Sequence, residues 1–239
     1  MEDSPDMSKL IDNRNQEVWN VVKSRYDVNV VFHGSREHHV FYQNDMARIS
    51  IPAGDYSADS FTHELLHLYL EVKEFRLSGF VLLFLKENKR ISSILTIGLL
   101  HHISNVIDHA KMLPLYLQMG FKRELFLMDY CERKCEEYHL TIIEAGFQKD
   151  SLLRVTAIDL YIGKFFAIKS CPNPSFDYTP FLSRMREAEP SLYEILDKFW
   201  KAVVTLNIET TELHYHLELA GDFKDELEQW LALNVSEQQ

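Results

Sequence analysis

Glycine and proline are scarce in this chain, 8 and 7 among 239 residues. That speaks against a loop-rich or all-β protein, which needs turn residues at short intervals. Cysteine is scarcer still: Cys131, Cys135 and Cys171 are the three. A small, odd number excludes a disulfide framework and is what reduced thiols in a cytoplasmic setting leave. The first residues, Met-Glu-Asp-Ser-Pro-Asp, are acidic and carry no apolar segment, so no signal peptide is expected. The longest apolar region, 77–100, is split by Lys86-Glu-Asn-Lys-Arg90, and neither half can span a bilayer. Positive charge is in deficit. A net charge of −11 leaves little attraction for nucleic acid or an anionic membrane, and neither is expected as a partner. The patterns G-x-S-x-G, G-x-x-x-x-G-K-[ST] and G-x-G-x-x-G are missing, which removes the usual serine-hydrolase and nucleotide-binding readings.

What the chain does have is apolar bulk. Hydrophobic residues make up 46%, with 15 Phe and 11 Tyr, enough to bury the core of one large domain or two smaller lobes. Periodicity predicts a helix over 8–25 and strands over 28–32, 39–43 and 47–51, the last two joined at the turn pair Asn44-Asp45. Pro52-Ala53-Gly54 ends the third strand. A helix capped by Asp59 or Ser60 follows, with Gly79 as its expected break. A second long helix is predicted over 91–112, with Pro114 near its end and Gly120 closing the unit. Beyond it, helical periodicity covers 122–139, 151–170, 180–188, 191–206, 210–219 and 223–233, with a proline-containing linker at 171–178. The expected fold class is therefore α+β: a small mixed or antiparallel sheet and its following helix, then a mainly helical C-terminal half. The expected division is 1–121 and 122–239.

One stretch carries chemistry. Residues 60–69 read Ser-Phe-Thr-His-Glu-Leu-Leu-His-Leu-Tyr and contain H-E-x-x-H. On a helix, His63 and His67 lie one turn apart on the same face, where two neutral imidazoles can share a metal ion. Glu64 lies beside them, placed to take a proton from water activated at that ion. A charged residue and two imidazoles amid Leu65, Leu66 and Leu68 need a reason to be there.

All ten positions of 60–69 fit the extended signature of the zincin metallopeptidases, which this stretch resembles. The resemblance implies zinc held by His63 and His67, with Glu64 as general base and proton shuttle. It also implies an upper lobe of strands before the active helix, one edge of which pairs with extended substrate. Residues 48–51 are the expected edge. The segment Asn105-x-x-Asp108-His109-x-x-x-x-Pro114, followed by Met119-Gly120-Phe121, resembles a pattern of uncharacterised bacterial zincins of gluzincin type. That likeness covers roughly residues 60–121.

A catalytic zinc site takes three protein ligands and keeps one position open. Three residues compete for the third place. Asp108 stands first, as the acidic ligand of a gluzincin-like set, although the common pattern there has Glu. His109 stands second, ligating or else hydrogen-bonding a tetrahedral oxyanion in catalysis. Glu87, 20 residues after His67, stands third. Asn105 could orient either neighbour. Elsewhere, Cys131, Cys135 and His139 at i, i+4, i+8 read as a packed helix face rather than a zinc site. His214 and His216 read as surface, and His38-His39 precedes a strand and could line the cleft, though nothing distinguishes it. Tyr178 would be an oxyanion donor if its loop reached the site.

The function expected is that of a cytoplasmic zinc peptidase that hydrolyses a peptide bond in a protein or peptide substrate. A narrow substrate range or a regulatory protein would restrain it, as a regulatory or defence protease requires. The alternative is a catalytically silent zincin-fold scaffold or protein-binding module.

Overall fold

The computed structural model describes residues 5–35, 38–148, 152 and 154–235. It is an α+β protein with one three-stranded mixed sheet and a mainly helical C-terminal half. By internal contacts the chain groups into two units, each discontinuous. One comprises Met1–Phe75 and Lys111–Tyr130, the other Arg76–Ala110 and Cys131–Gln239. The boundary expected near 121 thus falls inside the first unit.

The first unit opens with α1 (Met7–Leu10) and α2 (Gln16–Arg25), not one helix over 8–25. Two short polar side chains make the break. Asp12 accepts from the Arg14 main chain, and Asn15 accepts from the Asp12 main chain. Asn15 also donates to the Leu10 carbonyl and to the Thr62 hydroxyl. Three strands follow: β1 (Asp27–His33), β2 (His39–Gln43) and β3 (Met46–Pro52). The β2–β3 hairpin turns at Asn44, whose φ of 57° is the left-handed conformation asparagine tolerates. The sheet order is β1-β3-β2, with β1 parallel and β2 antiparallel to β3. This corrects the expectation that 48–51 is an edge: Ile49 is paired with Val30 on one side and Val40 on the other. The edges are β1 and β2. Ala47, Ile49 and Ile51 alternate inward and join Val22, Phe61 and Leu65 in the core. Each of the larger ones, Val, Ile, Leu or Phe, contributes about 1.5–3 kcal/mol when fully buried.

Helix α3 (Ala58–Val72) carries the H-E-x-x-H motif. Its cap is Ser57, whose hydroxyl accepts from the Ser60 N–H at 3.1 Å, one turn earlier than Ser60 itself. The helix stops where Glu74 enters the left-handed region at φ 57° and Phe75 N–H returns to the Leu70 carbonyl. Gly79 is not the break.

In the second unit, α4 (Leu77–Glu87) runs through Gly79, and α5 (Lys89–Ile94) is capped by Asn88. Helix α6 (Ile97–Gln118) starts after Thr96, whose hydroxyl accepts from Leu99 N–H, and contains Pro114 rather than ending before it. Residues of α6 up to Ala110 group with the second unit and those from Lys111 with the first. The expected helix over 122–139 is not formed. A 3-10 turn, Arg123–Leu125, and irregular chain precede α7 (Glu137–Gly146). Then come α8 (Arg154–Lys169), α9 (Thr179–Ala188), α10 (Pro190–Thr205) and α11 (Leu213–Asn234). The last merges the two helices expected over 210–219 and 223–233. Gly221 is carried inside it because Ala220 and Phe223 are both buried. Within this unit Lys169 of α8 and Lys201 of α10 each lie 2.7 Å from the buried Asp197 carboxylate. Among the described residues, no helix is long and apolar enough to cross a membrane.

Candidate metal centre

The site begins with the local geometry of α3. Phe61, Leu65, Leu66 and Leu68 are fully buried, so the helix cannot rotate without exposing them. That fixes the direction of the remaining face. His63 and His67 share it, with ring centroids 5.3 Å apart. The third imidazole is His109, on α6. One ligand atom from each of His63, His67 and His109 lies within 4.8 Å of the other two. No other group of three His, Cys, Asp or Glu side chains gathers in this way among the described residues. This group could hold a metal ion. The donor set is all nitrogen, which suits zinc and also copper, iron and nickel.

Electrostatics favour ligation. Burial pushes the His63 imidazole down to about 3, helped by its neighbour His67 and opposed by a hydrogen bond with the Phe126 main chain. His63 is therefore neutral at ordinary pH, the form a metal needs. The Phe126 contact is the kind of orienting bond that metal-binding histidines use. The Phe126 ring also packs on His63, with centroids 4.9 Å apart. Tyr116 braces Phe126 from behind at 5.2 Å, and its hydroxyl donates to Asp59.

Glu64 is 9% exposed. Burial raises its carboxyl above the ordinary value, with His67 pulling in the opposite direction. Its opening is a cavity of about 250 Å³, lined among others by His38, Ser60, His63, Glu64, Phe126 and Met128. All of these belong to the first unit.

The structure separates the other sequence-chosen residues. Asp108 is half-buried and is not among the three gathered ligands; its place is taken by His109, one residue on. Glu87 is exposed at the end of α4, and Asn105 is exposed on α6. Asn105, Asp108, His109 and Met112, spaced to share one helix face, thus do not form one polar face, since Met112 is fully buried. Tyr178 is engaged within the second unit, its hydroxyl accepting from Lys134 N–H at 2.8 Å. Cys131 and Cys135 precede α7 in irregular chain, and His139 accepts from Glu136 N–H as part of that helix's cap. His216, expected at the surface, is 2% exposed.

One contributor escaped the sequence reading. Phe126 lies 59 residues beyond His67 in a stretch expected to be helical, and no local pattern marks it. His38, expected only as one of a pair that could line the cleft, does line the cavity. Its partner Asp55, 3.3 Å from Nε2, follows the sheet in the chain and could be paired with it only once the strands were placed. Compared with known proteins, the chain matches no protein family, no curated protein and no solved structure.

Proposed function

We propose that the chain is a metal-dependent peptidase, with zinc held by His63, His67 and His109 and with Glu64 as general base. The observation that carries this reading is a gathered set of three imidazoles, one of which, His63, lines the same cavity as the buried Glu64 carboxyl. A scaffold has no use for that carboxyl. Burying a carboxyl to 9% exposure costs stability. A carboxyl that burial raises above its ordinary value is instead what a proton-transfer group uses.

A bound zinc ion would supply Lewis acidity to water and to the scissile carbonyl. The residues do the rest. Glu64 takes a proton as the water oxygen bonds to the carbonyl carbon. It returns that proton to the amide nitrogen as the C–N bond breaks and the amine leaves. The buried Phe126 ring forms an apolar wall of the cavity. Because β3 is central, an extended peptide would add to the outer edge of β2, next to His38.

The test combines metal analysis with cleavage of a mixed synthetic peptide library. The wild type should hold one metal ion per chain and cleave a subset of peptides. Glu64→Gln should keep the metal and lose cleavage by at least about a hundredfold, the scale of general-base catalysis. Unchanged cleavage by Glu64→Gln, or a wild type without stoichiometric metal, sinks the reading.

A further inference from the structure

We propose that His38, held by Asp55, contacts the substrate in this site and accepts a hydrogen bond from a main-chain N–H of the peptide; this rests on the peptidase reading above. Four observations lead to it. His38 lines the same cavity as His63 and Glu64. Its Nε2 lies 3.3 Å from Asp55 Oδ2, and its side chain is only 11% exposed. Asp55 is itself fixed, because its Oδ1 accepts from Ser57 N–H at 2.8 Å, at the start of the helix that carries the motif. Finally, His38 immediately precedes the edge strand β2.

The chemistry follows from the donor count. An ionised carboxylate attracts an N–H, so with Asp55 Oδ2 3.3 Å from Nε2 the proton of a neutral His38 is favoured on that nitrogen. Burial, opposed by Asp55 and aided by His33 and His39, holds the imidazole below its ordinary value and so neutral at pH 7. The remaining nitrogen, Nδ1, then carries a lone pair and not a proton. It cannot donate to an oxyanion. It can accept, and the N–H groups of an extended peptide beside β2 are donors in need of partners. Glu64 is left as the proton carrier, and His38 sets register: which residue of the peptide faces Glu64.

The experiment uses the full chain and the peptide that the wild type cleaves best from the synthetic library. Analogues of that peptide are N-methylated at each amide in turn. One analogue should lose roughly 3–10-fold in kcat/KM with the wild type, mostly through KM, the worth of one hydrogen bond. His38→Ala should lose a similar factor on the parent peptide and nothing more on that analogue. His38→Gln, whose amide can donate to Asp55 and still accept, should recover much of the loss. Binding of the parent peptide to Glu64→Gln, compared with Glu64→Gln/His38→Ala, should show the same factor without any turnover. Metal content must match in all variants, which separates a contact role from a folding defect. Equal penalties in wild type and His38→Ala at every N-methylated position overturn the proposal while leaving the peptidase reading intact, as does a loss confined to kcat. A wild type that cleaves no peptide overturns both.

Discussion

Glu64 and the residues around it show a carboxyl kept where stability alone would not keep it. The sign of its effect can be worked out. Its folded-state value is raised, mainly by burial. As pH rises, the unfolded chain gives up this proton first and the folded chain holds it longer. Stability from this group is therefore complete at low pH and declines as pH climbs from the unfolded value through the folded one. Metal-free Glu64→Gln should thus melt higher than metal-free wild type at pH 8, by about 1 kcal/mol or more, and the gap should close toward pH 4. Thermal denaturation at both pH values measures it; a variant that melts lower than wild type at pH 8 contradicts the account. The third ligand is a second residue-scale question. Asp108 and His109 are adjacent, so they point about 100° apart around α6. Sequence places both on a helix but does not set the helix's rotation, because Val106 and Ile107 are both buried and blur the apolar stripe. Only the folded chain shows that the imidazole, not the carboxylate, meets His63 and His67. His109→Ala should weaken metal binding by more than the 10–100-fold typical of losing an orienting contact, while Asp108→Ala should leave the stoichiometry unchanged. Metal titration of the two variants decides between them, and the reverse order restores the acidic ligand.

At the scale of elements, what sequence made plain was local. The motif helix, the β2–β3 hairpin and helices α8, α9 and α10 follow from period and turn residues. What it hid was non-local. The hairpin's alternation is the same whether β1 pairs with β2 or with β3, so nothing in 28–51 says that β3 ends up central. The break between α1 and α2 was hidden for a different reason: it is made by side chains reaching across the fold. Asn15 is fully buried. It joins Leu10, Asp12 and Thr62, and Thr62 immediately precedes His63. Removing this amide leaves buried polar groups without partners, at about 1–3 kcal/mol each. Asn15→Ala should therefore destabilise the chain by roughly 2–4 kcal/mol, far beyond the cost of an ordinary turn substitution. Urea unfolding monitored by tryptophan fluorescence measures it. A loss below about 0.5 kcal/mol, the usual range for a surface change, would falsify the role given to this network.

The whole chain adds a relation no single element contains. His63 and His67 come from the stretch before Phe75 and His109 from a helix begun at Ile97, so the ligands are drawn from distant parts of the sequence. A chain that must be folded to gather its ligands binds metal only when folded, and binding then becomes folding free energy. At free zinc a hundred times the dissociation constant, the gain is about 2.7 kcal/mol. For a chain of this length each kcal/mol moves the midpoint by about 2–4 °C, so zinc should raise Tm by roughly 5–10 °C, and a chelator should reverse it. The size of the shift also reports on how many ligands take part. His109→Ala, retaining the two histidines of one helix turn, should keep only a small part of it, because two imidazoles without a third hold zinc weakly and also remain neighbours in any residual helix of the unfolded chain. If His109→Ala shifts as far as wild type, the pair on α3 suffices and the third imidazole is a bystander. If neither shifts, the gathered histidines serve packing rather than metal.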